Sequence, residues 1–217
     1  EVGNNGTFNL ESASAKKFEQ QLSVHNLGEW IWKNGDIHWG AGIQTINNEG
    51  LFQLGEPNSG VTLDAVADPG SAIINNQHLL YKFTSTTSNL SSVTINNSNG
   101  KTIRGLGTIN INNFNNAGTL ETGHPIGTLA INGAQPLSAS SVLKLELSAS
   151  GNDELNRSIG GALNLAGSLQ VIQNGSLPND SYRIIHSNTG FSGNFSSVTL
   201  PEYCSLQQTA NDLFITR

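Results

Sequence analysis

The chain has 217 residues, enough for one elongated domain or two small ones, and 12% of them are charged against 36% hydrophobic. A net charge of −6 argues against nucleic acid and against an anionic membrane surface, and no apolar run approaches the ~20 residues that span a bilayer. With 24 Gly and 28 Asn the composition could suggest disorder, but disordered chains are usually charge-rich and poor in β-branched residues.

Ile, Val, Leu and Thr recur here in alternating runs, the mark of many short strands joined by tight turns. Residues 1–28 begin Glu1-Val2-Gly3-Asn4, with no charged n-region and no apolar core, so no signal peptide is expected in the sequence. Composition allows a short helix over Ala13–Leu22 or an irregular first coil, and the segment is expected to cap an open solenoid end.

All three tryptophans fall in residues 29–44. Trp30 and Trp32 share one face of a strand by period two, Asn34-Gly35 marks a turn, and Trp39 follows with Ile37 on the next strand. Asp36 and His38 take the opposite face. One reading is a ligand-binding aromatic platform of Trp30, Trp32 and Trp39, flanked by Asp36 and His38 and suited to stacking on sugar rings. The favoured reading is that the indoles fill the wide end of a core, because large aromatics usually supply burial.

From Thr45 to Gly133 a phrase recurs, an apolar residue followed by paired asparagines. It reads Ile46-Asn47-Asn48, Ile74-Asn75-Asn76, Ile95-Asn96-Asn97, Ile111-Asn112-Asn113 and Phe114-Asn115-Asn116, with an echo at Ile131-Asn132-Gly133. Successive starts lie 28, 21, 16 or 19, and about 20 residues apart, roughly one per coil of a parallel β-helix. The isoleucines can point into a narrow core. The asparagines suit corners by tolerating left-handed angles, and they can bond up and down the stack as a ladder. The longer first spacing leaves room for a looped-out turn at Glu56-Pro57-Asn58-Ser59-Gly60.

Residues 137–217 are less regular. Val142, Leu143, Leu145 and Leu147, then Leu163, Leu165, Leu169 and Val171, continue the alternation, with strands expected around Tyr182–Ile185, Phe195–Leu200 and Leu213–Ile215. The chain is therefore expected to be all-β, a right-handed parallel β-helix in a single domain over 1–217. Its parts would be a possible cap at 1–28, repeat coils at 29–136 and terminal coils at 137–217.

Two stretches carry a resemblance. Asp153-Glu154-Leu155, Gly160-Gly161-Ala162-Leu163 and Gly167-Ser168-Leu169-Gln170-Val171 are followed by Tyr182-Arg183-Ile184-Ile185 and Gly190-Phe191-Ser192-Gly193-Asn194-Phe195. Together with Ile126-Gly127-Thr128-Leu129 upstream, this resembles the C-terminal part of bacterial autotransporter passenger domains. The resemblance implies a right-handed parallel β-helix, export to the bacterial cell surface and often adhesion. A glycan or a host or neighbouring cell surface is the partner expected.

Enzymatic readings have fewer residues behind them. Some β-helices cleave polysaccharides, which needs two carboxylates about 5–10 Å apart. Glu29, Asp36 and Asp64 are the candidates for an alternative catalytic set. His25, His38, His78, His124 and His186 show no metal-ligand spacing, so no metal or cofactor is expected. No GxSxG elbow is present, and Gly105-Leu106-Gly107 lacks the third glycine of a nucleotide loop. Cys204 stands alone, which forbids an internal disulfide, and the threonines form no regular array of the kind that orders water at ice.

Overall fold

The computed structural model describes residues 2–56, 62–124 and 126–217. The chain winds as a parallel β-helix, and no helix occurs among the described residues. Most coils give one strand to each of three sheets, so the cross-section is a three-sided prism. The first face stacks Val2–Asn4, Ser23–Asn26, Ile43–Asn48, Ser71–Asn76, Val93–Asn97 and Asn113–Asn116. The second runs from Thr7–Leu10 through Glu29–Trp32, Leu51–Leu54, Leu79–Lys82, Thr102–Gly105 and onward to Ser197–Thr199. The third runs from Lys16–Phe18 through Ile37–Trp39, Leu63–Ala67, Thr87–Asn89, Gly107–Ile111, Thr128–Gly133 and Glu154–Arg157 to Ser181–Ser187. Parallel strands returning to one sheet favour a right-handed path because each strand is itself right-twisted. Lys16–Phe18 is a strand, so of the two readings for Ala13–Leu22 it is the coil that forms.

Period-two alternation sends every second side chain inward. On the first face Val24, Ile46, Ile74, Ile95 and Phe114 stack rung on rung. All five are buried, and each contributes about 1.5–3 kcal/mol by leaving water. On the second face Trp30, Phe52, Leu80, Ile103, Leu120, Leu143 and Leu169 form the matching inward column. The coils approach so closely at the first corner that a side chain cannot fit. A Cβ on Gly50 would lie 2.0 Å from the carbonyl oxygen of Gly28, and one on Gly28 would lie 2.2 Å from that of Gly6.

The asparagines do form ladders, but for a different reason from turn geometry. Among the described residues Tyr203 is the only non-glycine with positive φ, so the paired asparagines are extended strand residues. The second of each pair points inward, as does Asn26, which follows His25 in the same register: Asn26, Asn48, Asn76, Asn97 and Asn116 are all buried. In this inner row each Nδ2 donates to the Oδ1 of the next coil toward the C-terminus, at 2.7–2.8 Å from Asn4 to Asn116. The same Nδ2 groups donate to the carbonyls of Glu29, Leu51, Leu79 and Thr102, which fixes the amide orientation. The row ends with Asn116 Nδ2 on the carbonyl of Pro136. The first asparagine of each pair points outward, and this outer row donates the opposite way: Asn115 to Asn96, Asn96 to Asn75 and Asn75 to Asn47.

Ile111-Asn112-Asn113 is not a rung of this stack. Ile111 belongs to the third face, where it pairs with Gly133, and Phe114-Asn115-Asn116 supplies the first-face rung. The expected turn at Glu56-Pro57-Asn58-Ser59-Gly60 lies, beyond Glu56, outside the described residues.

At the C-terminal end the third face changes pattern. Asp212–Thr216 pairs antiparallel with Ser181–Ser187, and Ser205–Gln208 pairs antiparallel with Asp212–Thr216. His186 fastens this hairpin. Its Nδ1 lies 2.6 Å from Asp212 Oδ1 and its Nε2 2.8 Å from Asn188 Oδ1. Asn188 donates its Nδ2 to the carbonyl of Ser158, so its oxygen faces the ring. Both ring nitrogens therefore donate, which requires the imidazolium. The Asp212 carboxylate raises the His186 pKa above its usual value, against partial burial and the nearby Arg183. Because the folded pKa is raised, the latch stabilises fully below the unfolded value of about 6.5 and is lost as pH rises through the folded value. Thermal unfolding followed across this range is expected to show that loss, and His186→Gln is expected to remove it.

Candidate binding face

The tryptophans do not reach the surface. Trp30, Trp32 and Trp39 are 2%, 1% and 2% exposed. Phe18 stacks on Trp39 at 5.4 Å, Trp30 on Phe52 at 5.7 Å, and Phe8 meets Trp30 edge-on at 4.8 Å. Trp32 Nε1 donates to the carbonyl of Gly35 at 2.6 Å. These rings fill the core of the first coils, and the flat stacking platform expected as an alternative is not built from them. Trp30 does border one apolar depression at the first coil, with Phe8, Phe18, Leu22 and Val24.

The polar candidates separate by face. Glu29 lies on the second face, exposed, and accepts a hydrogen bond from Thr7 Oγ1 at 3.0 Å. Asp36, His38 and Asp64 belong to the third. Ile37 pairs with Ala65, so Asp36 and Asp64, each one residue earlier, occupy neighbouring coils on its outer side. His38 Nδ1 lies 3.5 Å from Asp68 Oδ2, which Lys17 Nζ also meets at 3.1 Å. Lys17 holds the Asp68 carboxyl below its usual range. These are solvent-screened surface ion pairs, which contribute little to stability.

Asp64 has another partner. Asn89 Nδ2 donates to its Oδ1 at 2.6 Å, Asn110 donates to Asn89 at 2.6 Å, and Asn132 donates to Asn110 at 3.0 Å. Asn132 Oδ1 in turn accepts the backbone N–H groups of Ser158 and Ile159, which sets the orientation of this row. The third face thus carries its own amide row, anchored on a carboxylate. Only its last member, in Ile131-Asn132-Gly133, echoes the recurring phrase, because each asparagine of this row stands alone, before Leu90, Ile111 and Gly133, rather than in a pair. Beyond that echo, its sequence signal is the spacing of 21 and 22 residues between asparagines.

Two shallow depressions flank this row. One, of about 510 Å³, has Thr108, Ala130, Asn132 and Asn156 in its lining, with Leu106 and Ile126 as apolar walls. The other, of about 400 Å³, includes Asp64, Val66, Asn89, Ser91 and Asn112. Concave sites with a few convergent polar groups on an apolar lining are the usual form of a ligand site. Among these residues Asp64 stands out in the sequence as an ionisable group, whereas the hydroxyls, amides and small side chains around it carry no such signal.

Lys82 and Asp153 are buried ionisable groups away from these depressions. Lys82 is fully buried, with Nζ donating to Thr84 O and Oγ1 at 2.8 and 2.7 Å, and burial pushes its pKa down to about 8. Burial pushes Asp153 up to about 7, against backbone N–H bonds from Glu146 and Gly127. The Glu146 and Glu121 carboxylates also push Asp153 up, and no group of three or more His, Cys, Asp or Glu among the described residues could hold a metal ion. No helix among the described residues is long and apolar enough to cross a membrane.

Compared with known proteins, the chain matches no protein-family model, and no curated protein sequence is significantly similar to it.

Proposed function

We propose that this β-helix is a stalk or adhesive segment of an exported bacterial surface protein, and that it contacts glycans through its third face. The observation that carries this reading is the third face itself, where hydroxyls and amides surround two shallow depressions along one continuous hydrogen-bonded row. The likeness of residues 153–195 to autotransporter passenger domains supports the surface setting. A column of stacked coils locked by internal amides is also a stiff spacer, which suits a stalk.

A glycan array combined with a reducing-sugar release assay tests the proposal. Binding without release is the expected result. Release that disappears in Asp36→Ala would replace it with a polysaccharide-cleaving enzyme, a reading that the neighbouring positions of Asp36 and Asp64 favour over any pairing with Glu29. The Asp64 carboxylate, however, is already engaged by Asn89.

A further inference from the structure

We propose, building on the glycan-binding reading above, that the third face takes an extended, uncharged, β-1,4-linked polysaccharide lying parallel to the helix axis, one sugar per coil. The row Asp64–Asn89–Asn110–Asn132 provides the ruler. Its rungs are set by strand stacking at about 4.8 Å, close to the advance of one pyranose along an extended β-1,4-linked chain.

The two central amides of the row also have capacity to spare. A side-chain amide carries two N–H donors and two acceptor lone pairs. The ladder uses one of each at Asn89 and Asn110, and these two have no other side-chain partner among the described residues. Asn89 and Asn110 therefore each present one donor and one acceptor on adjacent coils, a pattern matched by the ring hydroxyls of a regular polymer. Thr108 and Asn156, which flank Ala130 on adjacent coils, extend the polar rim.

The apolar parts fall where sugar rings would lie. Ala130 is a small outward residue between Thr108 and Asn156, so it lowers the floor at one coil, with Leu106 and Ile126 beside it. Val66, 36% exposed, offers a similar surface in the second depression. C–H faces of pyranose rings can rest on these patches while their hydroxyls reach the amides.

Charge selects against ionic polymers. The first depression has no charged residue in its lining, and the second has Asp64 alone. A polyanion would meet that carboxylate and the net charge of −6, while a polycation would gain a single partner. An α-1,4-linked glucan curls, so its hydroxyls would leave register with the row after one or two coils.

The test is calorimetric titration of the whole chain with cellohexaose and chitohexaose, beside maltohexaose and oligogalacturonate. Ala130→Lys and Thr108→Lys project a long side chain into the first depression, and Thr102→Lys places the same charge on the second face as a control. Circular dichroism melting confirms that each variant is folded. The expected result is that a β-linked hexasaccharide binds, that either third-face variant weakens it about tenfold or more, and that Thr102→Lys does not. Equal binding of maltohexaose or oligogalacturonate would overturn the ligand class. Binding insensitive to Ala130→Lys and Thr108→Lys would overturn the third-face location while leaving glycan adhesion standing. No binding to any sugar, here or on the array, would overturn both.

Discussion

Asn76→Ala is expected to destabilise the protein by about 3–5 kcal/mol, far more than any outward asparagine. Asn76 accepts from Asn48, donates to Asn97, and donates to the carbonyl of Thr102, with 0% exposure. Alanine would strand partners on both sides in a place water does not reach, and each buried polar group left unsatisfied costs about 1–3 kcal/mol. Asn76→Asp isolates the donor, because it keeps the shape but cannot donate to Asn97 or Thr102. It is expected to be at least as damaging, since a buried carboxylate would then face two oxygens. Asn96→Ala, in the outer row, leaves its neighbours half in water and is expected to cost about 1 kcal/mol or less. Urea unfolding of the variants measures this. An equal loss for Asn76→Ala and Asn96→Ala would mean that the inner row does not hold the coils together.

Lys82→Met is expected to have the opposite sign, stabilising by about 1–3 kcal/mol at pH 7. Lys82 occupies a core position in register with Leu54 and Gly105, and no ion pair to a carboxylate is found for it among the described residues. With its pKa lowered to about 8 from 10.5, the folded state carries a penalty of about 3 kcal/mol at pH below 8. The penalty fades as pH rises from about 8 to 10.5, because the unfolded chain then loses its proton as well. Methionine matches the length of the chain and removes the charge. Two hydrogen bonds to Thr84 go with it, which offsets part of the gain. Chemical denaturation at pH 7 and pH 10.5 checks both statements. The advantage of the variant is expected at the lower pH and gone at the higher, and a destabilised variant at pH 7 would contradict the account.

The fold was legible because one face repeats almost verbatim. Ile46, Ile74 and Ile95, each followed by two asparagines, reported the coil length before any coordinates, and their burial follows from strand alternation. What obscures the repeat is the crowded run from Ile109 to Asn116, where two faces meet within a few residues and each carries an apolar residue followed by asparagine. Periodicity cannot sort such a run, since only pairing in space assigns Asn110 to one sheet and Asn116 to another. The candidate site was less legible for the same reason. Asp36, His38 and Asp64 stand out as ionisable residues, whereas Thr108, Ala130 and Asn156 look like filler until three coils set them side by side. The tryptophans were conspicuous in composition, and the favoured reading, burial, is the one their packing fits.

The opposed directions of the two amide rows on the first face have an electrical consequence. Peptide units aligned along an α-helix add up to partial charges at its ends. Here the inner row points its N–H groups toward the C-terminal end and the outer row toward the N-terminal end, so their dipoles largely cancel. The unmatched row on the third face terminates its positive end on the Asp64 carboxylate. A column wired in this way can be lengthened coil by coil without accumulating a potential at its tips.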